Sequence, residues 1–473
     1  MFRVATGAAP RARRQPLHGD FPEWSNRELE QSLSEKLTSA SLDADRKPRF
    51  EATLRVVRRL WVESRIAGAF DEADDVAHDT QVRSIGQAWS AIEGLRAAPR
   101  ETTTEARRLL EADAADALWK HRSAWARAMD TGISSLAALG GGAPEATLEH
   151  LHGRPLGPRC DDAALLLRET DDAYLDLLAF VLKRVDPKLR PQNACLADVA
   201  HALAGPWVVD AFRKEDLRHA MTRCLEAMGL HPAADGHIRI HAGASTSDLF
   251  DVSVPDDVRL TLHETDGFDG YAAVFNAWGT AQHRARVSDS LHTTERFFGD
   301  QAVPAAMGLV FEALPLDEKF LAWALRLPAS RARESARAYA FRQLALLRRE
   351  AAMLLASRAL LRSGPTPGSF DDFTSQVTSA LHVAVPRGHL LVEASLFLDG
   401  APRLDAWALA HAQFEHVRGR FNEDFWRNPA AGAWLATTAG LGQRDDAVKT
   451  AERLGATLQL AGVARHRVSV MGA

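Results

Sequence analysis

Residues 275–283 read Phe-Asn-Ala-Trp-Gly-Thr-Ala-Gln-His in this chain of 473 residues. They lie inside a longer segment, 268–287, whose apolar and small residues recur at the spacing of a helix. Residues four apart on a helix share one face, so Asn276 and Thr280 are expected to point the same way. The sequence therefore predicts a helix that presents two neutral polar side chains side by side.

The residue pattern directly before this helix is different. Between residues 237 and 264, apolar residues alternate with mostly polar ones, as in Val258, Leu260 and Leu262. Alternation with a period of two is typical of strands that have one buried face. The sequence predicts a small β-sheet at about 237–264, followed by the helix at about 268–287.

The rest of the chain has the composition and periodicity of helices. It is rich in Ala, Leu and Arg, which favour helix, and it has only three tyrosines. The fold class predicted from these patterns is mainly α. A long helical segment, 329–363, carries Arg342, Arg348 and Arg349, which we expect on a solvent-facing surface.

Charge and cysteine usage narrow the class of protein. The formal net charge of −5 gives no field that would attract nucleic acid or an anionic membrane. The three cysteines follow no ligand or disulfide spacing, and no run of about twenty apolar residues is present. We expect a cytoplasmic protein without nucleic-acid or membrane partners. Residues 1–22 are basic and rich in Ala, Gly and Pro, which predicts a disordered lead-in.

A peptidase zinc site of the HExxH kind needs two histidines one helical turn apart and a glutamate beside the first. The chain has no HExxH sequence. His263-Glu264 follows a strand-like run and has a glycine where the second histidine would stand. His411 and His416 flank Glu415 but are five residues apart, which matches neither HExxH nor its inverted form. These patterns predict no zinc site.

Residues 275–283 nevertheless resemble the Phe-His-Glu-x-Gly-His-Ala-x-His helix of the M3 family of zinc oligopeptidases, with Phe275 and Gly279 at matching places. Residues 300–312 resemble the family's helix that carries the third zinc ligand. Ala305 would take that ligand's place, and it stands 25 residues after Thr280, as in the family. The resemblance covers roughly residues 205–460, including the run Phe425-Trp426-Arg427-Asn428-Pro429 near the C-terminus.

The resemblance places this chain's residues at the family's catalytic positions. Asn276 and Thr280 stand where the family has its zinc histidines, Ala277 where it has the general-base glutamate, and Ala305 where it has the third ligand. Amide and hydroxyl oxygens are weak zinc ligands, and alanine offers none. No tyrosine follows Tyr339, although the family uses a later tyrosine to stabilise the oxyanion. The resemblance therefore implies no catalytic residue, no metal and no cofactor.

Four further residues could line the channel that the family has: Trp278, His283, His263 and Glu264. Core packing is the favoured interpretation for Trp278. For His283 we favour a helix histidine with local hydrogen bonds, and for His263 and Glu264 a solvated surface.

The resemblance also implies a domain organisation and a function. It implies a two-lobed helical body with a small sheet lining a central channel, divided into residues 1–22, 23–204 and 205–473. The first hypothesis is a non-catalytic homologue that binds a peptide or a protein segment in that channel. The alternatives are a zinc-independent enzyme using the same channel, a structural protein that acts through oligomerisation, and, ranked last, an active oligoendopeptidase. The oligomeric state stays open.

Overall fold

The structure is a computed structural model that describes residues 26–38, 43, 46–243 and 247–472. The described residues are mainly helical and include two small β-sheets, which confirms the predicted fold class. The predicted lead-in, residues 1–22, lies outside the described residues. No helix in the described ranges combines the length and the hydrophobicity needed to cross a bilayer.

The described residues up to 227 form helices and a β-hairpin. These elements are α1 (Arg27–Thr38), α2 (Lys47–Asp79), β1 (Gln81–Ser84), β2 (Gln87–Ser90), α3 (Ala91–Ala97), α4 (Thr104–Trp119), α5 (Arg122–Leu139), α6 (Pro144–His152), α7 (Gly157–Glu169), α8 (Asp171–Val185), α9 (Leu196–Leu203) and α10 (Lys214–Ala227).

Three strands and a second series of helices follow. These elements are β3 (Ile238–Ala242), β4 (Asp248–Ser253), β5 (Asp257–Leu262), α11 (Phe268–Arg284), α12 (Thr293–Phe297), α13 (Ala302–Glu312), α14 (Glu318–Ala324), α15 (Ala329–Ser363), α16 (Pro367–Leu381), α17 (Leu390–Glu393), α18 (Gly400–Phe421), α19 (Pro429–Gly440), α20 (Ala447–Arg453) and α21 (Leu460–Met471).

The second sheet has the strand order β3-β5-β4. Strand β3 runs parallel to the central strand β5, and β4 runs antiparallel to it. Val258, Leu260 and Leu262 of β5 are buried, as their alternation predicts. Among the described residues β4 pairs only with β5, so its other side is a sheet edge.

The hairpin β1-β2 is absent from the sequence-based prediction. Its two strands have four residues each, too few for a clear alternation. Ile85 and Gly86 form the two-residue loop, and both have positive φ, 47° and 80°. Such positive φ angles match the twist of a tight hairpin. The first loop residue is isoleucine, so the loop lacks the Asn-Gly or Asp-Gly sequence that usually indicates such a turn.

The described residues divide into two compact units. One unit contains Leu203–Leu344 and the residues from Pro402 onward, and the other contains the residues up to Ala202 together with Ala345–Ala401. In this division the segment Ala345–Ala401 packs with the N-terminal helices. The domain bounds 23–204 and 205–473 stay a prediction.

Arg348 shows why this segment packs there. Its guanidinium donates to the backbone oxygens of Leu167 and Ala380, at 2.7 and 2.8 Å, and to Asp171 Oδ1 at 2.7 Å. It also lies over the ring of Tyr174, 4.5 Å from the centroid. Arg348 is fully buried, so the expectation of a solvent-facing surface is wrong for this arginine. A buried guanidinium is stable only with such a complete set of acceptors.

His389 anchors the same segment through two carboxylates. Its Nε2 lies 3.0 Å from Glu111 Oε1, and its Nδ1 lies 3.6 Å from Glu393 Oε1. Burial disfavours the charged ring, but the bonds to Glu111 and Glu393 outweigh burial and raise the pKa of His389 to about 9. The folded state therefore binds this proton more tightly than the unfolded state, whose histidine pKa is about 6.5.

The contribution of protonated His389 is complete below about pH 6.5 and is lost as the pH rises through about 9. We expect His389→Gln to destabilise the protein at pH 6 by roughly 3 kcal/mol more than at pH 10, because one pKa unit corresponds to about 1.4 kcal/mol. Urea denaturation at both pH values measures this difference. An equal loss for His389→Gln at both pH values would contradict the prediction.

Candidate functional site

Helices α11 and α13 approach each other closely at two glycines. A Cβ atom on Gly308 would lie 2.3 Å from Thr280 Oγ1 and 2.6 Å from the backbone oxygen of Asn276. A Cβ atom on Gly279 would lie 2.7 Å from Phe311 Cδ2 and 3.0 Å from Gly308 Cα. Since real Cβ atoms do not approach other atoms so closely, the crossing requires glycine at both positions.

A cavity of about 630 Å³ opens beside this crossing. Its lining residues come from the start of β4, from one face of α11, and from α13 and α15: Ser247, Asp248, Leu249, Asp269, Ala272, Ala273, Asn276, Ala277, Thr280, Ala305, Glu312 and Arg342. The structure thus brings together the four positions that the sequence analysis singled out, Asn276, Ala277, Thr280 and Ala305.

A network of charged and polar side chains lines one wall of the cavity. Asn276 Nδ2 donates to Glu312 Oε2 at 2.8 Å. Arg342 Nη2 pairs with Asp269 Oδ1 at 2.8 Å, and its Nη1 lies 3.8 Å from Glu312 Oε1. Tyr339 Oη donates to the backbone oxygen of Glu312 at 3.0 Å. Glu312 on α13 thus contacts Asn276 on α11 and both Tyr339 and Arg342 on α15.

Burial and the neighbouring polar groups together shift the pKa values on this wall. Burial raises the pKa of Glu312, although Arg342 and the hydrogen bond from Asn276 oppose the rise. Burial also disfavours the charge on Arg342, but Tyr339, Asp269 and Glu312 outweigh it and hold the pKa of Arg342 above its usual value. Arg342 is only 8% exposed, so the expectation of a solvent-facing position is wrong for it as well.

Sequence reasoning missed Asp269, Glu312 and Arg342 as cavity residues. A signal for Asp269 was present, because residues 269, 276 and 280 fall on one stripe of a helix whose other faces are buried. The signal for Arg342 was absent, since its two partners are 73 and 30 residues away in sequence.

The four residues proposed as channel-lining do not line this cavity. Trp278 lies two residues from Asn276 and therefore on another face of α11, where it is 1% exposed and donates from Nε1 to the Pro232 oxygen at 2.9 Å. Packing, the favoured interpretation for Trp278, agrees with this position. Glu264 pairs with Arg218 at 2.7 Å, and His263 Nδ1 lies 3.3 Å from the Gly243 oxygen.

His283 lies on the stripe of Asn276 but two turns further along α11, beyond the cavity. It is buried, and burial, with a smaller effect of Arg284, lowers its pKa to about 3. Neither ring nitrogen has a hydrogen-bond partner among the described residues. The expectation of local hydrogen bonds for His283 is therefore wrong.

Comparison with known proteins finds similarity in structure alone. No protein-family model matches the sequence, and no curated protein sequence does. PZ peptidase A, solved with an inhibitor, superposes with a TM-score of 0.64 at 10% identity, over 94% of this chain and 83% of that one. The M32 carboxypeptidase from Deinococcus radiodurans R1 gives 0.59 at 12% identity, over 95% and 89% of the two chains. The Bacillus anthracis protein assigned as an oligoendopeptidase F gives 0.62 at 9% identity, over 96% and 84%.

The fold is that of the M3 and M32 metallopeptidases. Identities near 10% show this fold and no more. The name metallopeptidase implies a zinc ion. The lining residues of the cavity determine whether this chain can hold one.

The cavity residues do not fit a zinc ion. Neither an imidazole nor a thiolate occurs among the lining residues that the structure describes. The amide nitrogen of Asn276 donates to Glu312, and the Thr280 hydroxyl donates to the Asn276 backbone oxygen at 3.0 Å. Ala277 and Ala305 have no donor atom, and the carboxylates of Asp269 and Glu312 already face Arg342 and Asn276. The histidine pair of a standard zinc site is missing from these positions.

The helix crossing gives a first test of this geometry. We expect Gly308→Ala to destabilise the protein by about 1–3 kcal/mol, because the new methyl group overlaps Thr280 and the backbone of Asn276. The matched control is Gly419→Ala on α18, where nothing lies within 4 Å of a new Cβ. That control should stabilise the helix by about 0.5–1 kcal/mol. Urea denaturation compares the two, and equal stability of both variants would refute the close crossing.

A second test introduces zinc ligands at the cavity. The triple variant Asn276→His, Thr280→His, Ala305→Glu should bind one more zinc ion than the unsubstituted protein, since two histidines one turn apart and a facing carboxylate form a standard zinc site. In the control variant, Ala273→His replaces Asn276→His. Its histidines are two turns, about 10.5 Å, apart along the helix and cannot share one ion. Zinc analysis after dialysis distinguishes them, and an equal zinc content would show that the three positions do not converge.

Proposed function

We propose that this protein is a non-catalytic relative of the M3 peptidases that binds an extended peptide or protein segment in the cavity between β4, α11 and α13. The observation that carries the proposal is that a sheet edge borders a cavity with no imidazole or thiolate among its described lining residues. The edge offers a means of binding a peptide, and the lining supports the absence of metal-assisted cleavage.

Strand β4 supports the binding half of the proposal. Asp248 and Leu249 line the cavity together with the polar stripe of α11. Val252, further along β4, is 52% exposed. An extended segment can add to such an edge through main-chain hydrogen bonds, while its alternate side chains enter the cavity. This mode of binding needs no metal.

The charges of the cavity favour a basic segment. Three carboxylates, Asp248, Asp269 and Glu312, line it together with one guanidinium, that of Arg342. Even with Glu312 protonated, the carboxylates outnumber Arg342 by one charge. Complementarity of charge raises both the association rate and the selectivity of binding. We therefore expect a preference for a segment that carries lysine or arginine.

The residues at the cavity also argue against peptide hydrolysis. Metal-assisted hydrolysis needs a Lewis acid and a base that activates the attacking water. Ala277 supplies no base on α11, and no tyrosine follows Tyr339 in the sequence to stabilise an oxyanion. A bound peptide is expected to leave intact.

One observation favours the zinc-independent enzyme as a second candidate. Glu312 is a buried carboxyl of raised pKa at a cavity wall, which is a common property of acid–base catalysts. Both of its oxygens, however, already face partners, Asn276 on one side and Arg342 on the other. This arrangement suits a residue that holds three helices together better than one that exchanges protons with a ligand.

The experiment uses labelled peptides of about ten residues, long enough for one strand and its flanks. One set carries lysine and arginine at alternate positions, and a matched set carries glutamate and aspartate instead. Fluorescence anisotropy measures binding, and mass spectrometry after incubation with and without added Zn²⁺ measures cleavage. We expect binding of the basic set, at least tenfold tighter than that of the acidic set, without cleavage in either condition.

The matched variants are Ala273→Arg and Ala433→Arg. Both positions are exposed on helices, but only Ala273 lines the cavity. We expect Ala273→Arg to weaken peptide binding at least tenfold, because its side chain and charge enter the cavity, and Ala433→Arg to leave it unchanged. Equal binding by both variants would reject this cavity as the binding site. Cleavage that a chelator stops would reject the non-catalytic assignment.

A further inference from the structure

Helices α18 and α21 carry a second cluster of potential metal ligands, separate from the cavity. His411 and Glu415 lie one turn apart on α18, and His466 comes from α21. One nitrogen or oxygen of each residue lies within 4.8 Å of the corresponding atoms of the other two. Sequence reasoning noticed His411 and Glu415 but set them aside, because the nearby His416 has the wrong spacing and His466 is 51 residues further on than Glu415.

The packing of the two helices brings these side chains together. Gly462 at the start of α21 lets the His411 ring approach the backbone, since a Cβ atom there would lie 2.9 Å from His411 Nε2. The rings of His411 and His466 stack with centroids 5.8 Å apart, and Phe414 packs against His466 with centroids 5.6 Å apart. The two imidazoles are therefore held in place before any ion binds.

One nitrogen of the cluster lacks a hydrogen-bond partner among the described residues. His411 Nδ1 is buried and makes no hydrogen bond to any described residue. A buried polar atom without a partner is costly, and an ion or an ordered water would remove that cost. This observation is independent of the distances within the cluster, and it points to a ligand.

We propose that His411, Glu415 and His466 bind a divalent transition-metal cation, with Zn²⁺ the best match to two imidazoles and one carboxylate. Three protein ligands leave a fourth tetrahedral position for water or another molecule. Hard cations such as Mg²⁺ and Ca²⁺ prefer all-oxygen sites and are excluded by the two imidazoles. The bound ion would join α18 to α21 near the C-terminus.

Two features limit the affinity. A tetrahedral zinc site with bonds of about 2.0–2.2 Å places its ligand atoms roughly 3.4 Å apart, so the cluster must contract on binding. Glu415 can supply this movement, because its side chain is 48% exposed and its contact with Arg418, at 3.4 Å, lies at the surface. The neighbouring Arg418, Arg465 and Arg467 repel a cation. We therefore expect binding weaker than that of an all-cysteine structural zinc site.

The test titrates ZnCl₂ into the full-length protein after chelator treatment and desalting, with isothermal calorimetry as the readout. We expect one zinc ion per chain, no binding of MgCl₂, and a rise in the thermal unfolding midpoint with zinc. His411→Gln and His466→Gln should abolish binding, and Glu415→Gln should weaken it at least tenfold. Because Glu415 is exposed, Glu415→Gln keeps the test valid even if a histidine variant fails to fold.

His416→Gln is the matched control. His416 follows Glu415 on α18, but its ring stacks on Trp434, with centroids 5.0 Å apart, and it is not part of the cluster. Zinc binding should be unchanged in this variant. The proposal is overturned if the unsubstituted protein binds no zinc, if Mg²⁺ binds equally well, or if Glu415→Gln binds zinc like His416→Gln. None of these results bears on peptide binding at the cavity, because no residue of the cluster lines it.

Discussion

The close contact between Gly279 and Gly308 is the constraint on which the candidate site depends. At this contact the two helices meet without intervening side chains. The residues next to the two glycines on each helix therefore lie around one small volume. Asn276, Thr280 and Ala305 converge for this reason. The same contact brings Glu312 within hydrogen-bond distance of Asn276. The cavity is therefore a product of backbone packing, and its chemistry is set by the side chains around it.

Those side chains place one guanidinium, that of Arg342, beside the carboxylates of the cavity. Arg342 faces Asp269 and Glu312, and the Asn276 amide completes the set. A buried guanidinium needs such partners, since an unpaired one would cost several kcal/mol. His411 and His466 near the C-terminus are in a different situation, since His411 Nδ1 has no hydrogen-bond partner among the described residues. The proposed metal ion at these histidines would supply that partner.

Local sequence patterns predicted the strands and the helix of the site. Which charged side chains line the cavity depends on tertiary contacts that the sequence does not show. The alternation at 237–264 and the helical spacing at 268–287 correspond to β3–β5 and α11, because both patterns have short periods that read directly from sequence. The spacing predicted that Asn276 and Thr280 share one helix face, and the resemblance to the M3 family added Ala305. Arg342 and Arg348 were expected on a solvent-facing surface, because no neighbouring residue in the sequence indicates that this part of α15 is buried. The β1-β2 hairpin was missed because its turn begins with isoleucine.

Helix α15 has a consequence for how this protein can be divided. It runs unbroken over 35 residues, and the boundary between the two compact units falls inside it, between Leu344 and Ala345. Four backbone hydrogen bonds of an α-helix span any such point, so a cut there would leave two frayed helix ends in place of one continuous segment. Arg342 would remain with one fragment and Arg348 with the other, each on a shortened helix. A division of the chain between Leu344 and Ala345 would therefore cut a helix and not a loop.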